Sequence, residues 1–387
     1  MDVSRHLFPW SQGLFHRAGW GLCLVLIPGL ALIPQAASSG EWSSVFALST
    51  TTSYEDNPTL AVDDETDNGQ LLLRPSLTNR YEGGRYRIDL DANATLVRST
   101  DQSVEEDTVR YGFDAGGEYD RDTGTISVAL SLNLDSIQNT EFDDTGLLAN
   151  SSDVTRTDSS LKLSLDQELN DKWRLNFSDD LEMVSFSGGN FTDSTNNSAR
   201  LDLSYEYGDT LTLKPGIGYD RFDPEGGKPS NTYRLNMGGD YALSDISSVG
   251  LTLGGLLTDG ELGWSAATDY NRAFENFSIN ADASRDVSPS SAGVLRESTS
   301  LGFGLTYRYS ETTSAGFASS WRSSTVNNAS NAGDTIQVEL SPWVNWELSE
   351  DWSARLTYRG RMQKQPSAGT ARSNSISIVF NYSLPIQ

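Results

Sequence analysis

From Glu41 to the end, apolar residues recur at every second position. They do so in segments of about 11 to 15 residues, against about 5 or 6 for strands of soluble sheets. Leu161, Leu163 and Leu165 alternate with Lys162, Ser164 and Asp166, and Leu201, Leu203, Tyr205 and Tyr207 with Arg200, Asp202, Ser204 and Glu206. Leu301, Phe303, Leu305, Tyr307 and Tyr309 alternate with Gly302, Gly304, Thr306 and Arg308. Successive side chains of a strand point to opposite faces, so this pattern predicts strands with one apolar and one polar face. A soluble antiparallel sheet can alternate in the same way. Segment length decides against it, because about 9 to 11 tilted residues cross the hydrocarbon of a bilayer.

Eighteen such segments can be counted, the first near 42–54 and the last near 372–384. The expected fold is therefore all-β, a transmembrane antiparallel β-barrel of about 18 strands occupying residues 41–387. The division is weakest at 251–277, where Gly254-Gly255 and Thr258-Asp259-Gly260 blur a hairpin; without it the alternative is 16 strands. Connections alternate in length: short ones such as Glu82-Gly83-Gly84 and Gly208-Asp209, long ones such as 55–68 and 138–154. Barrels of this kind have short periplasmic turns and longer extracellular loops, which predicts the orientation. Aromatic residues gather beside the short turns: Tyr81, Tyr86, Tyr119, Trp173, Tyr207, Tyr241, Phe274, Phe277, Tyr309, Trp346 and Trp352. Tyr54, Phe186, Phe222, Trp264 and Trp321 form a looser set near the long connections. Amphipathic rings suit both headgroup boundaries. Pro75, Pro215 and Pro342 oppose the strand reading because each removes a ladder donor; all three share the apolar phase and are expected at bulges near strand ends.

Residues 1–37 read as a cleaved signal peptide. Arg5, His16 and Arg17 form a weakly basic head, the long apolar run spans 14–34, and Gln35-Ala36-Ala37-Ser38-Ser39 follows it. Cys23, His6 and His16 all lie in this segment, so beyond it there is neither Cys nor His. Thiolate and imidazole metal sites and Ser-His-Asp or Cys-His centres are thereby excluded from the mature chain, and no enzyme activity is expected. The chain holds 28 Lys+Arg against 53 Asp+Glu, a formal charge of −25, which disfavours nucleic acid as a partner. The expected location is the outer membrane of a Gram-negative bacterium, with lipid and lipopolysaccharide as surroundings.

The polar phase names what would line a pore: Arg85, Arg87, Asp89, Asp91, Arg110, Asp114, Glu118, Arg174, Asp180, Glu182, Arg234, Asp240, Asp282, Arg308, Arg355 and Arg359. Both signs are present, which suits either a hydrated wall without selectivity or a route for polar solutes. The connections are acidic. Glu55, Asp56, Asp63, Asp64, Glu65 and Asp67 cluster in the first; Glu105, Glu106 and Asp107 in the second; Glu141, Asp143 and Asp144 in the third. Such density could hold Ca²⁺ weakly, but the spacing matches no EF-hand loop, and no cofactor is expected.

The first strand runs through Ser49-Thr50-Thr51-Thr52-Ser53 directly into Tyr54-Glu55-Asp56-Asn57-Pro58. This step, carried by Tyr54, Asp56 and Asn57, resembles the start of a β-barrel porin family found in bacterial exopolysaccharide gene clusters. The resemblance implies an outer-membrane component that helps secreted polysaccharide leave the cell, with periplasmic export components as partners. It carries no catalytic residues. The expected function is a passive water-filled channel, for polysaccharide export if the resemblance holds. The alternative is a structural or adhesive surface barrel that binds a partner through its acidic loops.

Overall fold

A computed structural model describes residues 40–63, 65–136, 154–189, 191–326, 334–365 and 369–386. Its strands in chain order are β1 (Glu41–Glu55), β2 (Asn68–Gly83), β3 (Tyr86–Ser99), β4 (Thr108–Arg121), β5 (Gly124–Ser136) and β6 (Thr155–Asn170). β7 (Trp173–Phe186), β8 (Ser194–Glu206), β9 (Leu211–Pro224), β10 (Ser230–Ser244), β11 (Ser247–Thr258) and β12 (Glu261–Ala273) follow. The last are β13 (Phe277–Pro289), β14 (Leu295–Arg308), β15 (Thr313–Val326), β16 (Thr335–Glu347), β17 (Trp352–Gln365) and β18 (Gly369–Ile386). Each pairs antiparallel with its neighbours in sequence, and β1 pairs with β18 from Ser44↔Ile386 to Glu55↔Ser375. The sheet is thus a closed 18-stranded barrel of the transmembrane porin kind. Closure leaves no edge whose peptide groups would lack partners in hydrocarbon.

The doubtful hairpin exists. β11 and β12 turn through Asp259 and Gly260 at φ 50° and 94°, the positive values that a two-residue primed turn requires. The Asp259 carboxylate accepts the Asn231 N–H at 3.0 Å and the Ser230 hydroxyl at 2.7 Å. These bonds, the Asn231 N–H first, together with the Lys228 charge hold its pKa below the ordinary carboxylate value. The hairpin is short for the long-loop end of the barrel. β12 pairs with β13 only from Ala266↔Arg285 to Ala273↔Ser278, so residues 261–265 and 286–289 do not pair with each other.

The prolines are accommodated without bulges and in mid-strand, contrary to expectation. On the β3 side of β2, pairing stops at Leu73↔Leu96 and resumes at Ser76↔Asn93 in unchanged register. β9 does the same against β8 around Pro215, and β16 against β17 around Pro342. On the opposite side each ladder runs unbroken, as Leu48↔Pro75, Met237↔Pro215 and Phe317↔Pro342. A missing N–H affects one neighbour only, so each gap is confined to one ladder.

The outer face is inverted relative to a soluble protein. Ile126, Val128, Leu130 and Leu132 of β5, Leu251 and Leu253 of β11, and Ile376, Ile378 and Phe380 of β18 are all exposed. Continuous apolar surface on this scale suits lipid. At the short-turn end, Trp42–Tyr81, Tyr86–Tyr119, Trp173–Tyr205 and Trp352–Tyr382 approach to 4.6–5.1 Å between ring centroids, forming a girdle. The looser set divides. Tyr54 and Trp264 face outward and are exposed, whereas Phe222 is buried in the inner phase and Phe186 packs on Phe191 and Val154. Asp179 of β7 is, among the described residues, the outward-facing charged side chain farthest from a strand end; the Asn197 amide donates to it at 3.2 Å.

Candidate functional site

The inner wall carries most of the charge, and cross-strand register pairs it off. Arg87 reaches Glu118 at 2.6 Å and Asp89 at 3.5 Å, and Arg80 reaches Asp89 at 2.6 Å. Asp91 accepts the Thr78 hydroxyl at 2.9 Å, and Asp114 that of Ser131 at 2.6 Å. Arg174 meets Glu168 at 2.8 Å and Asp166 at 3.5 Å; Asp240 pairs with Lys214; Arg359 lies 3.5 Å from Glu339. Asp180 stands opposite Lys162 in register, and Arg308 is exposed at the short-turn end of β14. Exposed pairs of this kind stabilise by about 0–1 kcal/mol each. Their larger effect is to hold side chains along the wall and to cancel much of the local field. Luminal glycines assist: a Cβ on Gly302 or Gly304 would collide with the Asp282 or Asn280 side chain lying across it, and one on Gly216 with Asp202.

Arg85 falls outside the wall. It occupies the β2–β3 turn, where its guanidinium meets Asp122 at 2.5 Å, because β3 begins only at Tyr86. Arg110 and Arg234 share the inner phase but are buried at the long-loop end instead of lining open space. Arg110 pairs with the buried Glu105 and lies 2.9 Å from Asp135. Arg234 reaches from β10 past the short β11–β12 hairpin to Asp286 and the Val287 carbonyl of β13, and also binds Asp220, which Arg200 meets at 2.6 Å.

Three further buried arginines, absent from the sequence expectation, complete this belt. Arg156 lies 2.8 Å from Asp158 and 3.8 Å from Glu182; Arg296 donates to the Ser324 hydroxyl at 2.9 Å; Arg361 binds Glu55 and the Pro58 carbonyl. Each sits in the inner phase near a strand end, the only signal that marked it in the sequence. Arg110, through Glu105, and Arg361, through the Pro58 carbonyl, tie connections to strand ends, while Arg156, Arg234 and Arg296 hold strands together there.

The acidic residues serve this tying. Glu55 ends β1 and also accepts from the Ser373 hydroxyl; Asp56 accepts the Asn374 N–H at 2.6 Å and amide at 2.8 Å. Asp67 accepts the Tyr54 hydroxyl at 2.9 Å, and Asp107 binds Arg98 and the Ser99 N–H. In the same connection as Asp107, hydrogen bonds from the Ser103 hydroxyl and N–H lower the pKa of Asp101. Asp63, Glu65 and Glu106 are exposed, while Asp64, Glu141, Asp143 and Asp144 lie outside the described residues. Among the described residues no three acidic side chains converge as a metal site would require.

The inner face of β13–β16 holds a trough of about 530 Å³. At one end of it the Trp343 indole lies over Gly316, with the Arg355 guanidinium 4.1 Å from the ring centroid.

No protein-family model matches the chain, and no curated protein does. Solved structures are similar in fold. The outer membrane protein OpdK from Pseudomonas aeruginosa matches at TM-score 0.53 and 11% identity, over 89% of this chain and 99% of its own. OccAB2 of Acinetobacter baumannii matches at 0.52 and 12%, over 90% and 98%. OccAB4 of the same organism matches at 0.51 and 13%, over 92% and 100%. At such identity the likeness bears on the barrel and not on the solute.

Proposed function

We propose that the chain is a passive, water-filled channel of a bacterial outer membrane, with residues 1–37 as its export signal and the long connections facing outward. One observation carries this reading: a closed 18-stranded wall is predominantly apolar outside and predominantly polar inside. Barrels of 16–18 strands leave room for an aqueous channel. The family resemblance at Tyr54, Asp56 and Asn57 supports polysaccharide as the exported solute.

The purified barrel is expected to conduct ions in a planar bilayer. Reversing Arg87, which has half-exposed access to the lumen, should leave Glu118 unopposed and Asp89 with Arg80 as its cationic partner. Arg87→Glu is therefore expected to strengthen cation preference, measured as reversal potential under a salt gradient. The effect should fade toward 1 M salt, as the Debye length falls from roughly 10 Å at 0.1 M to 3 Å. Unchanged selectivity at low salt would remove Arg87 from the ion path. The second reading is a structural or adhesive barrel that binds a partner through its acidic connections; absence of any current would select it.

Orientation has its own test. Lys228→Cys, in the exposed β9–β10 connection, should react with a membrane-impermeant maleimide on intact cells. Glu275→Cys, in the β12–β13 turn, should react only after permeabilisation. The opposite labelling pattern would invert the barrel.

A further inference from the structure

Asp179 projects from the middle of β7 toward lipid. On the same face Leu175 and Phe177 lie toward the short turns, and Leu181 and Met183 toward the long connections. Its register partners are Leu163 of β6 and Ala199 of β8, neither of them basic. Among the described residues the Asn197 amide, at 3.2 Å, is the one group that bonds to its side chain. Asn197 belongs to the outer phase of β8, one rung further toward the long connections, opposite Leu181. An ionisable group at this depth is unfavourable in hydrocarbon, and intramembrane charges almost always face protein or water and pair with one another or with other polar groups. The single bond to Asn197 leaves both side chains with unused hydrogen-bonding capacity on a surface that otherwise faces lipid.

We propose that the outer face of β7–β8 is the interface of a homodimer, in which Asp179 and Asn197 of one copy meet the same two side chains of the other. Both copies insert in one direction, so the two-fold axis runs along the membrane normal and passes between β7 and β8. That symmetry places each carboxyl at the depth of its mate without further requirement. An unrelated protein would need a polar group at that same depth on its own lipid face. The patch is also complementary to itself: an amide both donates and accepts, and a carboxyl accepts and, when protonated, donates. Four such side chains around the axis satisfy one another away from lipid. Ala199, beside Asp179, is small enough to let the two sheets approach, and the exposed Phe177, Leu201 and Met183 supply apolar contact around the polar centre. The proposal uses the outward phase of β7 and β8 and does not depend on a conducting lumen.

The test is sedimentation equilibrium of the full barrel in density-matched detergent micelles, with cysteine cross-linking in outer membranes as its second arm. The wild-type barrel should sediment as a dimer. Asp179→Leu should weaken dimerisation roughly tenfold, the effect of losing polar contacts within lipid on both sides of the axis. Asp179→Asn keeps an acceptor and a donor, and should stay within about threefold of wild type. Ala199→Cys should form disulfide-linked dimers on mild oxidation, whereas Leu340→Cys, exposed on the outer face of β16 at the far side of the ring, should not. Heat-modifiable gel migration verifies that each variant is folded, and Asn197→Leu replaces Asp179→Leu if that variant fails this check. A wild-type monomer in micelles overturns the proposal, as does a dimer unaffected by the leucine variant, or equal cross-linking at the two cysteine positions. Cross-linking of Ala199→Cys to a different protein, with no self-dimer, overturns it as well.

Discussion

Leu130→Arg should lower the unfolding free energy of the lipid-embedded barrel by about 2–4 kcal/mol, whereas Ser131→Arg should change it by less than about 1 kcal/mol. The two positions are adjacent in the middle of β5 and point to opposite faces. Leu130 is exposed on the outer face between Ala115 of β4 and Leu161 of β6. An arginine there meets hydrocarbon and no carboxylate. Ser131 stands opposite Asp114, to which its hydroxyl now donates, so an arginine at that position gains an acidic partner in a hydrated wall. Reversible urea unfolding in lipid vesicles measures both. Equal losses at the two sites would contradict the assignment of faces, and with it the placement of every residue on the inner wall.

Arg234→Ala should cost about 3 kcal/mol and loosen one sector of the mouth. Removing one partner of a buried ion pair strands the other, an effect of about 3–5 kcal/mol at fully buried sites. The Arg234 side chain is 8% exposed and that of Asp220 16%, but Asp286 is half-exposed and Arg200 still holds Asp220, which places the loss at the lower end of that range. The local consequence is more specific than the global one. Residues 286–289 of β13 pair with β14 but not with β12, so the Arg234 bonds to Asp286 and the Val287 carbonyl are their tie toward β10. Amide hydrogen exchange should therefore accelerate over 286–294 in the variant, with β5 unaffected. Faster exchange spread evenly round the barrel would show that Arg234 is a general support and not a clasp over the short hairpin.

Which face each residue takes was legible in the sequence, because alternation along a strand is a local steric property that needs no knowledge of the neighbours. Leu130 and Ser131 could be assigned to opposite faces, and eighteen strands counted, from periodicity and connection length alone. The aromatic girdle at the short-turn end was legible for the same reason. The doubtful hairpin at Asp259-Gly260 could have been settled from its turn chemistry, since Asp-Gly is a strong two-residue hairpin signal.

What lies beside what across the wall was decided by tertiary structure. Register sets Arg87 against Glu118 and stretches Asp282 over Gly302, and neither follows from spacing within one strand. The prolines sit in mid-strand because a single missing N–H interrupts one ladder while the other continues, a fact that involves three strands at once. The inner phase correctly marked Arg110 and Arg234 as facing inward. Whether they meet water depends on the partners that close over them, Glu105 for Arg110 and residues of β9 and β13 for Arg234. Alternation thus determined the barrel and its two faces; closure, register and the partners reached across strands determined which polar groups are spent on one another.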